Sequence, residues 1–260
     1  MKTRALLPCL LAILLHGNAD ACGSYKVAYY DHGALSSRHA DGHWRGIDHD
    51  VIAELARRTG CKLEAQLESR VRIWTMMEAG LLDMTTSGLT TPEREAFAYF
   101  IPYITTRNYL LLNKDVDASI QSLDDFAADP RYKVAAVKSF RHGPTLDAWL
   151  ARLRAQGRVY DAVDVTALIR LAKIGRVHAV IALQTSWVPI RAETAAAGMR
   201  VMDWGHDPLV GNMVLSKKRV PEATAALFAQ TIAAMRQDGT LEAIFARHMG
   251  PELAPAMLRY

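Results

Sequence analysis

The chain has 260 residues, with 31 Lys and Arg against 27 Asp and Glu and a formal charge of +4. That imbalance is mild and the basic residues are scattered, with no run of like charge, so nucleic acid is not an expected partner. The length suits one large domain or two small lobes.

The first residues, MKTRALLPCLLAILLHGNADACG, have the layout of an export signal. Lys2 and Arg4 make a basic start, residues 6–15 are an apolar run too short to span a bilayer, and Ala19-Asp20-Ala21 is an A-x-A cleavage site. Cleavage after Ala21 is expected to leave 239 of the 260 residues; without Lys2, Arg4 and Asp20, 29 basic and 26 acidic residues remain, a charge of +3. A cysteine at the new N-terminus also resembles a lipidation site, although Ala19 and Asp20 fit that signal poorly. No later segment is apolar and long enough for a membrane helix. Cys22 and Cys61 form an even pair in an exported chain, so a disulfide is expected. Each precedes a strand-like run, which places both near one edge if the two strands are parallel neighbours.

Further along, strand and helix patterns alternate. Strands are predicted at 25–30, 62–67, 84–86 and 108–112, with helices at 48–59 and 73–79 ending on Gly60 and Gly80, the residue type that closes a helix in a left-handed conformation. A second unit begins with a short helix capped by Ser122. Strands follow at 133–137, 162–163, 179–183 and 199–203, and helices at 144–155, 165–173 (capped by Asp164) and 185–197. A strand at 211–215 and helices at 221–237 and 241–248 end the chain. Repeated β-α-β order implies an α/β fold with mostly parallel sheets whose ligands sit at the carboxyl ends of the strands. The loops Tyr30-Asp31-His32, 85–89 and 139–143 all follow strand ends.

Residues 80–103, GLLDMTTSGLTTPEREAFAYFIPY, carry the most specific chemistry. Thr91 suits a helix cap, Pro92 the first helical position and Glu93 the positive helix end. Arg94 then offers a planar fork to a carboxylate. No P-loop, dinucleotide fingerprint or nucleophile elbow is present, and the nine histidines form no matched metal set, so neither a cofactor nor a metal is expected.

The motifs Gly46-Ile47-Asp48-His49-Asp50-Val51, Gly80-Leu81-Leu82-Asp83, Thr91-Pro92-Glu93-Arg94, Phe100-Ile101-Pro102-Tyr103, Gly175-Arg176-Val177 and Asp238-Gly239-Thr240 occur in an order and spacing that resembles the family 3 solute-binding proteins. These are periplasmic, amino-acid-binding receptors with the two-lobed Venus-flytrap (type II) fold, and the resemblance covers nearly all of the chain after the signal. It implies a hinge, with a first lobe built from 22–107 and 211–260 and a second from 108–210, and with crossings near Arg107 and residues 209–211. It implies a monomer that captures a small polar solute and hands it to an inner-membrane ABC permease.

Matched to the family pattern, Arg94 grips a ligand carboxylate, Ser87, Gly88 and Thr90 donate hydrogen bonds, Tyr30 packs on the ligand, Arg70 lines the specificity pocket, and Arg141 reaches from the second lobe. Two departures stand out. The turn between Asp83 and Arg94 is one residue short, and Leu183 stands where relatives place an acidic residue for the ligand ammonium. His178 likewise replaces an Asp. Three arginines on one cleft and no such acid favour an anion with more than one carboxylate. Other readings are a lyase of the cyclohexadienyl dehydratase type, with His142 and Asp31 as acid–base candidates, and a soluble sensory module.

Overall fold

The computed structural model describes residues 22–260; the expected signal peptide lies outside the described residues. In chain order the strands are β1 (Ser24–Tyr29), β2 (Ser37–Arg38), β3 (Trp44–Arg45), β4 (Lys62–Leu67), β5 (Met84–Gly88), β6 (Ala98–Leu112), β7 (Val134–Val137), β8 (Val159–Ala162), β9 (Ala179–Leu183) and β10 (Arg200–Ser216). The helices are α1 (Ile47–Thr59), α2 (Arg70–Ala79), α3 (Pro92–Glu95), α4 (Leu123–Ala128), α5 (Pro144–Ala155), α6 (Val165–Lys173), α7 (Gln184–Trp187), α8 (Arg191–Ala196), α9 (Glu222–Gln237) and α10 (Thr240–Met249).

Eight strands form one sheet in the order β4-β1-β5-β10-β6-β9-β7-β8. Its two outer portions, β4-β1-β5 and β7-β8 with β9, contain parallel pairs, as right-handed β-α-β units require. The middle is the long antiparallel pair β6 and β10, which runs through both halves of the molecule. The 98–104 end of β6 pairs with the end of β10 that also meets β5, and its 108–112 end pairs with β9.

Strand alternation builds a core on each face of each half. Val27 and Tyr29 point into one apolar cluster with α1, α9 and α10, whereas Ala28 and Tyr30 point into another with Ile73, Met77 and Val214. In the second half Leu110 and Leu112 take one face and Leu111 the other. Gly60 and Gly80 close their helices with φ of 73°, and Thr91, Ser122 and Asp164 cap theirs through side-chain oxygens. Cys22 and Cys61 are disulfide-bonded where β1 and β4 begin side by side.

The sequence-based expectation falls short in several places, among them these. β6 starts at Ala98, ten residues before the expected strand, and contains the aromatic Pro-Tyr element. Pro102, which has no N–H to give, sits opposite Asn212 beside a register shift of β10, where the ladder tolerates it. The two separate strands expected at 199–203 and 211–215 are one, β10, because the turn-like Asp207-Pro208 is absorbed by register shifts between Met202 and Leu209. The helix expected at 185–197 is broken by Pro189 into α7, a 3-10 turn and α8. The strand expected at 162–163 is β8, which starts three residues earlier. Among the described residues no helix is long and apolar enough to cross a membrane.

Candidate functional site

The carboxyl ends of β1, β5, β7 and β9 face one another between the halves. Alternation decides which aromatic enters this cleft. Tyr29 turns into the first-half core and stacks on His49 at 4.0 Å, so Tyr30 takes the opposite face and reaches the cleft. Two residues on, His32 lies on the same side and stacks on Tyr30 at 5.1 Å. Arg70 enters at the first turn of α2, which Ser69 caps. Ser87 ends β5 with a φ of 53°, and Ser139 follows β7 with a φ of 66°. A left-handed residue that is not glycine is strained, and such strain persists where the surroundings fix it. From Ser139 the chain lays Phe140, Arg141 and His142 across the cleft.

Three guanidinium groups gather here. Arg70 is 8% exposed, and its Nε and Nη1 have no hydrogen-bond partner among the described residues. Three rings flank its charge, Tyr30 at 4.4 Å, Trp74 at 5.1 Å and Phe140 at 5.7 Å, and it makes no ion pair among the described residues, although the Asp48 carboxylate is near enough to feel it. Arg94 lies 3.6 Å from the Trp74 ring centre and donates one N–H to the Leu89 carbonyl. Burial, followed by the repulsion of Arg70 and Arg141, pulls the Arg94 pKa down to about 10. Arg141 is exposed and lines the same space from the other half. Cation–π contact is worth about 0.5–2 kcal/mol, well short of the cost of burying an unpaired charge.

The remaining polar groups are similarly unspent. The Tyr30 hydroxyl and both ring nitrogens of His32 have no partner among the described residues. Burial, then Arg70 and His142, pushes the His32 ring down to about 3. His142 donates or accepts through Nδ1 with Asn108 at 3.2 Å, leaves Nε2 free, and is pushed down to about 4 by burial and then Arg154. Both rings are therefore neutral at neutral pH.

Beneath the arginines lies a buried carboxylate, Asp48. It accepts from the Tyr103 and Ser87 hydroxyls, and burial pushes it up to about 6 against those hydrogen bonds and the nearby Arg70. The Ser87 hydroxyl proton is thus already used inside the fold. Gly88 lies under Trp74, with its carbonyl bonded to Asn212, and an added Cβ would fall 2.4 Å from Val214. Thr90 stands apart, exposed in a side recess with Glu93 and Arg141. The structure brings Tyr30, Arg70, Ser87 and Arg141 together around one central space, with Arg94 in the groove that adjoins it; Gly88 and Thr90 flank them.

The central space is only about 30 Å³, enough for a water or two. Phe140 fills it, lying 5.9 Å from the Tyr30 ring and 4.7 Å from His32. On one side it adjoins a groove of about 850 Å³ between α2 with α3 and α5, lined by Trp74, Arg94, Arg141 and His142. On the other side the halves touch directly, since the Ala34 N–H donates to the Thr185 carbonyl at 2.8 Å. Gly33, at φ 61°, permits that contact; an added Cβ would lie 2.7 Å from the Ser186 Cα and the Thr185 oxygen. Leu183, at the position where the resemblance leads one to expect an acid, lines the central space. His178 sits at the far end of β9, accepting from the Lys133 N–H. Among the described residues no cluster of three or more His, Cys, Asp or Glu could hold a metal ion.

Over residues 26–251 the sequence matches the family described as bacterial extracellular solute-binding proteins, family 3. The chain belongs to that family. Solved structures of similar shape include an ancestral arginine-binding protein bound to arginine (TM-score 0.72, 20% identity, covering 88% of this chain and 99% of that one). A putative L-cystine ABC transporter from Listeria monocytogenes gives a TM-score of 0.71 at 18% identity, covering 88% of this chain and 97% of that one. The ancestral amino acid-binding protein AncCDT-1, a precursor of cyclohexadienyl dehydratase, gives 0.71 at 22% identity, covering 87% and 96%. At these identities the likeness shows the two-lobed fold. No curated protein sequence matches this family 3 protein significantly.

Three cleft residues escaped the sequence reading. Phe140 falls within the loop 139–143 and Trp74 within the helix predicted at 73–79, and neither carries a signal of its own. His32 shares the face of Tyr30 by strand alternation, and that two-residue spacing was the signal that could have found it.

Proposed function

We propose that this family 3 protein is a receptor for a small anionic solute carrying one or more carboxylates, held between the lobes by Arg70, Arg94 and Arg141. The observation that carries this reading is the Arg70 guanidinium, buried and without a counter-ion. A buried charge with free N–H groups is costly unless an anion completes it, and a bidentate carboxylate does so with charge-assisted hydrogen bonds. Tyr30, Trp74 and Phe140 supply the apolar walls. Leu183 at the strand end offers nothing to an ammonium group, which favours an organic acid over the arginine and cystine named for structurally similar proteins.

The unusually small central space supports a hinge. Ligand sites usually measure roughly 300–1,000 Å³, so Phe140 must withdraw as the lobes part. The division 22–107, 108–210 and 211–260, with crossings at Arg107 and residues 209–211, fits the register shifts of β10 and the Arg107–Asp203 ion pair between the crossing strands. Removal of residues 1–21, a periplasmic location, a monomeric state and delivery to an inner-membrane ABC permease belong to the same proposal. A lyase reading gains no support from the side chains. Asp31 lines the groove on the far side of the cleft from His142, so the two do not form an acid–base pair.

The test is a thermal melting screen against amino acids and di- and tricarboxylates. Carboxylates are expected to raise the melting temperature of the wild type and to lose that effect in Arg94→Ala. Stabilisation by a cationic amino acid alone, or an equal shift in Arg94→Ala, would refute the reading.

A further inference from the structure

The cleft holds a second group whose state an anion would change. His32 is 3% exposed, and neither of its ring nitrogens has a partner among the described residues. A buried imidazole ordinarily binds something through at least one nitrogen, because an unmade hydrogen bond is expensive. His49, by contrast, bonds the Ser36 hydroxyl, and His248 bonds Asp50. His32 is instead fixed by shape. Tyr30 stacks on one face, the Phe140 edge lies against it, and its backbone is tied to the Ser36 carbonyl.

The groups around the ring are mostly cationic or neutral. Arg70 approaches from α2, Tyr30 from the end of β1, and His142 and Arg141 from the loop after β7. Arg94 lies beyond them on α3. The acids in this region are Asp48 on α1, engaged by Ser87 and Tyr103, and Asp31, next to His32 in the chain, which takes the Gly33 N–H and lies near Asp164. Burial and the Arg70 charge hold the ring neutral. A monoanion seated on Arg70 would cancel that charge, and a dianion would leave a net negative charge beside the ring that favours its protonated form against the cost of burial.

Resting on the anion reading above, we infer that His32 is a proton-coupled ligand contact, which takes up one proton from solvent when an anionic solute enters and donates an N–H to it. The proton comes from bulk buffer and leaves with the ligand, so binding and protonation are linked reciprocally. The receptor would then hold its solute more tightly in an acidic medium and release it more readily in a neutral one. Only the ring that lines the central space is assigned this role; His142 lies in the adjoining groove with one nitrogen on Asn108.

The experiment is isothermal titration of the wild type with fumarate and with terephthalate, dianions whose own charge is constant across the range used. It is run in bis-tris and in imidazole, buffers that carry no anionic group of their own and whose ionisation heats differ. The expected result is uptake of about one proton per ligand, with affinity rising by up to about tenfold per pH unit as the pH falls from neutral to mildly acidic. His32→Gln should take up none and show a flat profile, whereas His142→Gln should keep the uptake. Binding without proton uptake in the wild type overturns the inference while leaving the anion reading intact, and this arm needs no variant to fold. Uptake that survives in His32→Gln also overturns it. If neither dianion binds at any pH, the anion reading itself fails and the inference goes with it.

Discussion

Two arginines are buried to nearly the same degree, Arg158 at 5% exposure and Arg70 at 8%, yet they live in opposite surroundings. Arg158, just ahead of β8, directs its guanidinium to the carbonyls of Phe126, Ala127, Asp129 and Tyr132 and to the Gln156 side chain, at 2.7–3.0 Å. It staples the turn between α4 and β7 and needs nothing more. Arg70 has rings on its flanks and free N–H groups. Proteins of this size satisfy their buried polar groups almost completely. Where burial is equal and satisfaction is not, the unsatisfied site is the one whose partner arrives from outside. The same division separates surface from cleft, because Arg58 is paired with Glu54 and Asp238 at 2.6–2.7 Å in a place where pairing contributes little.

The largest expected effect is at the satisfied site. Arg158→Met strands several buried carbonyls, each worth roughly 1–3 kcal/mol when unpaired, so the variant should lose at least about 3 kcal/mol in urea unfolding. Its ligand response, where it folds, should match the wild type. A mild loss would mean that Arg158 is no better placed than Arg70 and would dissolve the contrast.

Asp48 is an intermediate case, a buried carboxylate whose partners are internal but which borders the cleft. Asp48→Ala leaves the Tyr103 and Ser87 hydroxyls only each other, at 2.7 Å, with one buried O–H donor unused, and should cost roughly 1–3 kcal/mol. It should also release the strained Ser87 backbone, weakening ligand response as well as stability. An unchanged ligand response at lowered stability would place Asp48 wholly with the Arg158 type.

A smaller effect concerns pH without ligand. His32 and His142 have folded pKa values pulled below the ordinary 6.5, to about 3 and about 4. The unfolded chain therefore binds more protons below that ordinary value, and the stability these rings contribute is complete above it and is lost as pH falls toward 4 and 3. Asp48 works in the other direction. Its folded pKa is raised from 3.8 to about 6, so its contribution is present below 3.8 and is lost as pH rises through about 6. His32→Gln should flatten the acid limb of a stability profile, and Asp48→Asn should flatten the change between about pH 4 and 6, each measured by urea unfolding across pH.

Much of the fold was legible because its signals are local. Glycines at 60 and 80, the Thr91 and Asp164 caps and the two cysteines each act over a few residues or at one sheet edge. The long β6 and β10 were not, since Pro102 and Asp207-Pro208 read as breaks until a partner strand shows how register shifts absorb them. At the site, residue type pointed to Arg94 and the family resemblance to Arg70 and Arg141, whereas their shared lack of ion-pair partners among the described residues is a tertiary fact. The small central space is another, since only the folded molecule shows Phe140 filling it.

The central claim is that Arg70 carries a buried charge kept for a ligand. Replacing even a buried ion pair by apolar side chains of similar volume is often neutral or stabilising by about 1–4 kcal/mol, and a charge buried without a partner is costlier to keep. The direct measurement is the urea stability of Arg70→Met beside the wild type, with and without the carboxylate that shifts the wild type most. The account predicts a variant more stable than the wild type alone and no longer stabilised by the carboxylate. A variant less stable than the wild type, or one that keeps its full ligand response, would contradict it.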